Sequence, residues 1–382
     1  MALALFRRQS ATQKRIRRVT QRSSDWWLLA AVFALLLIGI LMVFASTYST
    51  SYVNSDGKTA TSYIVKHLQW IGIGSAVALV AWLSDYRWLK RVSVLLMIGT
   101  LVALFALFFM GKATFGATRW LFNGSIQPSE FAKLATIIYV AHWASSKEKR
   151  ISDFKQGFIP FMVLVALVCG LIVIQPSLST ALLVGLVAGT MFFVSGADIK
   201  QLLAVGSGVG VLTWLVASAG WRLQRIETWR NPWVDPADAG YQTTHMLYAL
   251  AKGGLLGQGL GRIGGDGFPY VPAIHTDLIM AVVGHEGGLL ACMVVLALFV
   301  LLTYRGFHVA VNAPDAFGTV LASGITIWFC LQALLNLAVI TNSIPTTGIP
   351  MPFISYGGSG LVTAMAGVGI LLSISRAVPK KA

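Results

Sequence analysis

Residues 26–46 read WWLLAAVFALLLIGILMVFAS, a run of 21 residues without a charged side chain. A helix needs about 20 apolar residues to cross the hydrocarbon core of a bilayer, so this run is long enough to span it. Seven of the 29 Lys and Arg residues lie just before it, between Arg7 and Arg22, as is typical of a cytoplasmic arm. The run is too long for the apolar core of a signal peptide, so we interpret it as a retained membrane anchor.

The composition of the whole chain agrees with a membrane protein. Of its 382 residues, 56% are hydrophobic and 11% are charged, against roughly 25% charged in ordinary soluble domains. So few charges cannot cover a water-facing surface, which excludes a soluble enzyme. The net charge of +15 is also typical of nucleic-acid-binding proteins, but the basic residues concentrate in the arm and in short connecting loops. That distribution favours anionic lipid as their partner.

Nine further apolar runs follow the first, so the sequence predicts an all-α polytopic membrane protein with about ten transmembrane helices. An even number of spans places both termini on the same side of the membrane. The predicted spans lie near 26–46, 67–84, 92–110, 129–145, 158–174, 178–196, 201–220, 277–304, 319–341 and 358–375.

The charges of the connecting loops orient these helices. With the N-terminus inside, the inner segments hold 19 Lys and Arg residues and the short outer loops hold four. Because cytoplasmic loops carry an excess of basic residues, both termini are predicted to be cytoplasmic. The chain then divides into a basic arm (1–25), a ten-helix transmembrane domain (26–376) and a short basic tail (377–382). One long outer loop, 221–276, joins helices seven and eight, and its stretch 241–252 can form a short interfacial helix with Met246 buried.

Two ionisable residues, Glu130 and Lys133, stand at the start of the fourth predicted helix, after Gln127-Pro128-Ser129. Ionisable groups at membrane depth are costly, which makes each of them a functional candidate. Ser129 can cap the helix, and Glu130 complements its dipole. One interpretation is a structural ion pair. The alternative is a charge pair that lines a polar cavity, where loss of either partner would leave the other buried and unpaired.

A third ionisable residue, Asp277, opens the eighth predicted helix after His275-Thr276 and stands at the outer membrane boundary. It is either a helix-start acid with Thr276 as the cap, or a general base near a polar substrate that a lipid anchors. At about 100° per residue, His285 lies about 80° around the helix from Asp277 and Glu286 lies on the opposite face. These side chains form no obvious triad. A zinc site formed by His275, Asp277 and His285 lacks a recognised ligand spacing, so no metal site is predicted.

The sequence GLGRIG at residues 259–264 matches the dinucleotide-binding fingerprint letter for letter. The fingerprint has meaning only between a strand and a helix of a βαβ unit, which an outer loop of a helical membrane protein does not offer. The glycines are better explained by tight turns or by close approach of the backbone to a ligand.

Three prolines fall within residues 344–353, directly ahead of ISYGGS at residues 354–359. Prolines at this density forbid a regular helix. Irregular backbone at membrane depth persists only where it is buried in protein or lines a wet cavity. We therefore predict a re-entrant loop on the outer side.

Five stretches of the chain resemble the SEDS family, the proteins of shape, elongation, division and sporulation. The resemblance spans the ten predicted helices, and several independent motifs in the family's order make it specific. The last stretch, with PTTGIP and PFISYGGS, is more similar to the FtsW subfamily than to the RodA subfamily. The five stretches are Gly116–Trp120 (GATRW), Gln127–Lys133 (QPSEFAK), Gly240–Gln242 (GYQ), His275–Asp277 (HTD) and Pro345–Ser359.

The resemblance implies a peptidoglycan glycosyltransferase that polymerises lipid II on the outer face of the cytoplasmic membrane. It assigns the family's essential acid to Asp277 and its membrane ion pair to Glu130 and Lys133. The chain departs from the family at His285-Glu286, where many members carry an acid pair, so a role for the first acid of that pair does not carry over.

The implied reaction is consistent with a single carboxylate. A sugar hydroxyl attacks an anomeric carbon whose leaving group is a prenyl diphosphate, which departs without protonation, so the two carboxylates of a glycosidase are not required. Cations should stabilise the departing charge, and a divalent cation, Mg²⁺ or Mn²⁺, could share that task although no ligand cluster indicates one. The predicted substrate-binding residues are Glu130, Lys133, Arg119, Gln242, Arg222, His275 and Ser355.

The resemblance also predicts the partners and the location. The partners would be lipid II, the growing glycan strand, membrane lipids, a class B penicillin-binding protein and other division proteins, with no nucleic acid. The location would be the cytoplasmic membrane at the division septum. A lipid II flippase, a RodA-like elongation polymerase and a non-catalytic scaffold stay open. Transporters place their polar site near the midplane, whereas Asp277 lies at the outer boundary, which favours chemistry over transport.

Overall fold

The computed structural model describes residues 24–54, 61–110, 112–114, 117–120, 126–147, 151–198, six positions between 200 and 210, 221–263, 271 and 274–378. In these ranges the chain forms eleven α-helices with defined bounds and one antiparallel hairpin, which was not predicted. The strands are β1 Lys112–Thr114 and β2 Ala117–Trp120. The helices are α1 Trp26–Asn54, α2 Ser62–Leu83, α3 Trp88–Met110, α4 Pro128–Lys147, α5 Ile159–Ile174, α6 Leu178–Val194, α7 Trp221–Arg230, α8 Tyr241–Gly253, α9 Ile279–Val311, α10 Ala316–Ile340 and α11 Ser359–Ala377.

Nine of the predicted spans coincide with described helices. Seven of these helices are long and apolar enough to cross a membrane, and α6 is a shorter apolar helix. The seven are α1, α2, α3, α5 with the π-helical turn before it, α9, α10 and α11. Helix α4 is less apolar because it carries Glu130 and Lys133, and it is largely buried within the bundle. The seventh predicted span, 201–220, lies mostly outside the described residues, so the count of ten stays a prediction.

One end of the bundle carries both the beginning and the end of the described chain. Asp25 precedes α1 and accepts a hydrogen bond from Arg305 Nε of α9, with 2.8 Å to Oδ2. The backbone N–H of Asp25 donates to Ser375 Oγ of α11 at 3.2 Å. We call this the Asp25 end and the opposite end the Asp277 end. Both described termini therefore lie on one side, as an even number of spans requires.

Helices α2 and α11 pack closely because small residues face each other. A Cβ atom at Gly369 would collide with the backbone of Ala78, and one at Gly74 would lie 3.1 Å from Met365 Cγ. Small residues let membrane helices approach each other closely. These contacts therefore hold α2 and α11 against each other along the side of the bundle that they form.

The eighth predicted span is two helical segments rather than one. Helix α9 begins at Ile279 and is interrupted at Gly288, which has φ 68° and ψ −167°. Residues 279–286 are buried, whereas beyond the break the helix exposes apolar side chains such as Leu289 and Val300. Glycine is the residue that adopts this backbone conformation without steric cost, so Gly288 permits the break.

Residues 341–358, between α10 and α11, are irregular, as their prolines predict. Phe353 and Ile354 are buried, and a Cβ atom at Gly39 of α1 would lie 2.7 Å from Phe353 O. Gly39 is fourteen residues from Asp25, or about 21 Å along the helix, against about 30 Å for the hydrocarbon core. The segment therefore enters the bundle at membrane depth and is buried in protein, in agreement with the predicted re-entrant loop.

Two short helices of the predicted outer loop, α7 and α8, lie at the Asp277 end. Helix α8 occupies the stretch predicted to be helical, and Met246 is buried in it. Helix α7 docks on the re-entrant segment, because Trp229 Nε1 donates to Asn342 O at 2.8 Å and Arg225 Nη1 donates to Thr346 O at 3.4 Å. The re-entrant segment is thus covered on its outer side.

Candidate active site

Glu130 and Lys133 form a salt bridge in the first turn of α4, with 2.8 Å between Glu130 Oε2 and Lys133 Nζ. Their side chains are 7% and 3% exposed, so the pair is removed from water. Pro128 is the first residue of the helix, a position where its missing N–H is not needed. Ser129 therefore lies inside the first turn and is not the cap expected from the sequence.

Lys133 has two further partners on α10. Its Nζ donates to Gln332 Oε1 at 3.0 Å and lies 5.3 Å from the centre of the Trp328 ring, within the range of a cation–π interaction. Trp328 Nε1 donates to the same Gln332 oxygen at 2.7 Å. The cavity beside Lys133 is small and lined mostly by apolar side chains of α4, α6 and α10, and a polar cavity beside the ion pair stays a prediction. These bonds satisfy the buried ammonium and fix α4 to α10.

Two amide side chains one helical turn apart on α10, Gln332 and Asn336, bind backbone carbonyl groups at the Asp277 end. Gln332 Nε2 donates to Pro350 O at 2.8 Å. Asn336 Nδ2 donates to Ile349 O at 2.8 Å and to Asp277 O at 2.7 Å. One face of α10 therefore joins the ion pair, the re-entrant segment and the backbone of Asp277.

Gln332 and Asn336 were not among the predicted site residues. The sequence does carry a signal for them, since a buried amide costs free energy unless it is hydrogen-bonded. Both amides fall within an apolar run, four residues apart, and residues at that spacing share one face of a helix. Neither amide carries a charge, so the cost of burying ionisable groups does not point to Gln332 or Asn336.

Asp277 lies in the turn before α9, and its side chain is half-buried. The N-cap residue of α9 is Leu278, which makes no capping bond through its side chain, so the interpretation of Thr276 as the helix cap is wrong. Gly348 of the re-entrant segment has φ +69°, and a Cβ atom there would lie 3.3 Å from Asp277 Oδ2. The carboxylate therefore stands against the re-entrant segment and keeps part of its surface exposed.

His275, two residues before Asp277, packs in an aromatic cluster. Its ring centre lies 5.4 Å from that of Tyr63 on α2 and 5.5 Å from that of Tyr356 on the re-entrant segment. Tyr356 N–H also donates to His275 O at 2.9 Å. Burial lowers the pKa of His275 to about 4, so the imidazole is neutral at neutral pH. His275 therefore lies near Asp277 in an aromatic cluster, and its binding of substrate stays a prediction.

The remaining predicted substrate-binding residues are more widely distributed. Ser355 is buried, and its Oγ accepts the Met351 N–H at 2.8 Å, so it closes a turn of the re-entrant segment. Gln242 lies half-buried in the first turn of α8. Arg119 lies on β2 and Arg222 in the first turn of α7, and their side chains lie outside the described part of the chain. Substrate binding by these residues stays a prediction.

The start of α11 touches the start of α4. Gln127 N–H donates to Ser359 Oγ at 3.0 Å, and a Cβ atom at Gly360 would lie 2.9 Å from Glu130 Oε2. Glycine at position 360 therefore lets α11 approach the buried carboxylate. Two of the five stretches that carry the family resemblance, Gln127–Lys133 and Pro345–Ser359, thus meet where α4 begins.

Among the described residues, no three His, Cys, Asp or Glu side chains are grouped so that they could hold a metal ion. Residues 264–270 and 272–273, which precede the Asp277 turn, lie outside that set. A divalent cation stays a prediction, and no chemical step is assigned to it.

Comparison with known proteins identifies the family of this chain. The family model for the cell cycle proteins FtsW, RodA and SpoVE matches residues 26–380. The chain belongs to the FtsW/RodA/SpoVE family. The probable peptidoglycan glycosyltransferase FtsW of Geobacter sulfurreducens is 39% identical to it over 360 residues, which cover 92% of this chain and 95% of that protein. Stage V sporulation protein E of Bacillus subtilis is 38% identical over 361 residues, covering 93% and 97%.

Solved structures of this family share the fold. A chain of a peptidoglycan synthase complex that coordinates polymerization and crosslinking superposes with a TM-score of 0.75 at 25% identity, covering 93% of this chain and 98% of that one. The crystal structure of Thermus thermophilus RodA superposes with a TM-score of 0.67 at 23% identity, covering 94% and 99%. The predicted family and its polytopic helical architecture are confirmed.

The geometry adds a physical link between motifs of the FtsW/RodA/SpoVE chain. Its ion pair, its re-entrant segment and the turn that carries Asp277 are distant in sequence, yet Gln332 and Asn336 connect all three. Hydrogen bonds from one face of α10 therefore join the ion pair to the backbone of Asp277.

Proposed function

We propose that this FtsW/RodA/SpoVE protein is a peptidoglycan glycosyltransferase that polymerises lipid II into glycan strands, with Asp277 as the general base. The observation that carries the proposal is the half-buried Asp277 carboxylate at one end of the bundle, its backbone held by Asn336. The names of relatives that cover more than nine-tenths of the chain support the activity.

The charge distribution supports placing Asp277 at the outer face of the cytoplasmic membrane. The Asp25 end follows directly on the basic N-terminal arm, and the inner segments of the predicted topology hold 19 Lys and Arg residues against four in the short outer loops. Because basic loops stay cytoplasmic, the opposite end faces outward, where glycan strands are assembled.

The proposed reaction is a single displacement. Asp277 accepts the proton of an acceptor sugar hydroxyl while that oxygen forms a bond to the anomeric carbon of the donor. The bond from this carbon to the diphosphate breaks, and undecaprenyl diphosphate leaves with the electron pair. One displacement inverts the anomeric configuration, and because a diphosphate needs no general acid, one carboxylate suffices.

Glu130 and Lys133 fit a positioning role better than direct contact with the substrate. Lys133 Nζ is occupied by Glu130, Gln332 and the Trp328 ring, and the side chain is almost completely buried. Its effect on the reaction would pass through Gln332 to Pro350 O and so to the re-entrant segment that faces Asp277.

The proposed partner is a class B penicillin-binding protein, which would cross-link the new strands. The structural neighbour from a peptidoglycan synthase complex supports this partner. The FtsW names among the relatives support a role in division and a location at the septum.

The test is an assay of purified full-length protein in proteoliposomes with labelled lipid II, read both for polymer and for movement between leaflets. Asp277→Asn should lower polymerisation at least about 100-fold, the lower range for loss of a general base. The matched control is Asp315→Asn at the Asp25 end. Asp315 is the N-cap of α10, and asparagine caps helices equally well, so this variant should keep its activity.

Near-normal polymerisation by a folded Asp277→Asn variant would exclude the general base. Movement of lipid II between leaflets without polymer formation by the unmodified protein would favour the flippase. Restoration of division by Asp277→Asn in cells that lack the native protein would favour the scaffold.

A further inference from the structure

Residues 254–263, which follow α8 and which we call the strap, cross the break in α9. Two N–H groups of the strap donate to carbonyl groups just before the break, and two N–H groups just after the break donate to carbonyl groups of the strap. These four bonds are Gln258 N to His285 O (2.9 Å), Gly259 N to Glu286 O (3.0 Å), Leu289 N to Gly254 O (2.9 Å) and Leu290 N to Leu255 O (3.2 Å).

The strap completes the hydrogen bonding of the broken helix. A helix that is interrupted leaves backbone groups without their usual partners, and at membrane depth no water is present to replace them. The strap supplies both acceptors and donors at this point. It therefore lies at the same depth as Gly288, within about one strand spacing of the helix.

Glycines allow this close approach. A Cβ atom at Gly257 would collide with the backbone of Glu286, and one at Gly253 would collide with that of Gly284. Gly254, Gly257, Gly259 and Gly261 also have positive φ angles between +55° and +93°, a region that other residues rarely adopt.

The carboxylate of Glu286 fixes the far end of the strap. Its Oε1 accepts the N–H groups of Gly261 and Ile263 at 3.0 and 3.3 Å. Successive N–H groups in a glycine-rich turn form an anion-binding concavity. The stretch that resembles a dinucleotide fingerprint thus encloses an acid of its own chain.

The depth of the strap follows from the length of α9. Arg305 pairs with Asp25 at the Asp25 end, and Gly288 lies seventeen residues before it. That distance is about 26 Å along the helix, against about 30 Å for the hydrocarbon core. Gly288 and the strap bonded to it therefore lie within the leaflet at the Asp277 end rather than beyond it.

The strap exposes apolar side chains at this depth. Leu255, Leu256 and Leu260 are 68%, 78% and 65% exposed. They continue the exposed apolar surface of the second half of α9, where Leu289 and Leu290 are bonded directly beside the strap. The sequence between Lys252 and Arg262 has no charged residue.

We propose that the strap is inserted into the leaflet at the Asp277 end, with its three leucines among the acyl chains and Lys252 and Arg262 at the level of the lipid phosphates. Basic side chains that flank an apolar segment reach the interface in this way. The inference concerns membrane placement and does not rest on the proposed activity. Because the strap is bonded to the half-helix that follows Asp277, it also links the position of that acid to the bilayer.

The test uses a full-length variant in which the native Cys169, Cys292 and Cys330 are replaced by alanine, in nanodiscs of phosphatidylethanolamine and phosphatidylglycerol. A nitroxide is attached at Leu256→Cys, and its collision rates with oxygen and with a water-soluble nickel chelate are compared. Oxygen concentrates in the bilayer interior, and the chelate stays in water. The ratio of oxygen to chelate collisions at position 256 should be several-fold above that of a water-exposed site.

Two matched sites calibrate the ratio. Val300→Cys, on the exposed apolar face of α9, gives the value for lipid. Ala237→Cys, exposed between Asp235 and Asp238 in the turn before α8, gives the value for water. Leu260→Cys is a second strap position should Leu256→Cys fail to fold. A ratio of oxygen to chelate collisions at the strap equal to that at position 237 would overturn the proposal. Low collision rates with both reagents would also overturn it, because they would indicate that protein covers the strap.

Discussion

At the Asp25 end of the bundle each of two acids has an arginine beside it, whereas at the Asp277 end the candidate base is held through its backbone. Asp25 pairs with Arg305, and Asp315 accepts hydrogen bonds from Tyr86 Oη at 2.6 Å and Arg87 Nε at 2.9 Å. The negative charges of these two carboxylates are balanced by the neighbouring arginines, as expected for acids that connect the ends of helices.

The Asp277 end combines a buried ion pair with a contact to the backbone of the candidate base. The ion pair of Glu130 and Lys133 is recessed in the bundle, and the neutral amide of Asn336 holds the backbone carbonyl of Asp277. We call this amide the clamp, because it holds the backbone of the acid that is the candidate general base.

Breaking the recessed ion pair should have the largest effect on stability. Lys133→Ala leaves Glu130 buried and unpaired, which costs about 3–5 kcal/mol. Arg305→Ala should cost less, although the Asp25 side chain is only 5% exposed, because Asp25 keeps the Leu28 N–H as a donor at 3.1 Å and water can enter the space left by the 24% exposed Arg305 side chain. Unfolding by SDS in mixed micelles measures both.

The double variant Glu130→Gln/Lys133→Met serves as the control for Lys133→Ala. It removes both charges, so it should recover part of the lost stability, since coupled partners deviate from additivity. A larger loss for Arg305→Ala than for Lys133→Ala would contradict the distinction between the two ends.

Removing the amide clamp should affect both stability and activity. Asn336→Leu leaves the carbonyl groups of Asp277 and Ile349 without this donor, at a cost of about 1–3 kcal/mol. Polymerisation of lipid II should fall further than the folded fraction does, because the acid loses its position. Asn312→Leu, which removes an amide bonded only to His308 O in the described structure, should stay within about 0.5 kcal/mol. Full activity of Asn336→Leu per folded molecule would exclude the clamp.

Much of this fold could be predicted because a helix that crosses a bilayer needs a run of about 20 apolar residues, which is visible in the sequence. Each apolar run long enough to cross a bilayer coincides with a helix where the structure describes it, and the prolines of residues 344–353 mark the irregular segment. The charged members of the site, Glu130, Lys133 and Asp277, were found because charge at membrane depth is expensive.

The connections within the site could not be predicted in the same way. Hydropathy does not distinguish a continuous helix from one that breaks at Gly288, since the strap that repairs the break is distant in sequence. Which carbonyl groups Gln332 and Asn336 bind depends on the packing of α10 against the re-entrant segment. Such contacts are tertiary, and no local pattern encodes them.

Detaching α7 from the re-entrant segment should have a smaller effect on stability. Trp229→Phe keeps the apolar ring but removes the donor to Asn342 O, at a cost of about 1 kcal/mol. Hydrogen exchange should become faster in α7 and leave α10 unchanged. The matched control is Trp233→Phe, since Trp233 is exposed and its substitution should alter neither helix. Unchanged exchange in the Trp229 variant would show that other contacts hold α7.

The smallest expected effect is a pH dependence at the Asp25 end. Burial alone would raise the pKa of Asp315, but hydrogen bonds from Tyr86, the Gly318 amide and Arg87 outweigh it and hold the pKa below its ordinary value. A carboxyl group with a lowered pKa in the folded state stabilises the fold above its unfolded pKa, near 4, and loses that contribution as the pH falls through the folded pKa. The thermal unfolding midpoint should therefore drop on acidification from pH 6 to pH 3, and Asp315→Asn should reduce the drop slightly, because solvent screens a partly exposed group. An identical drop in the variant would assign the acid sensitivity to other carboxyl groups.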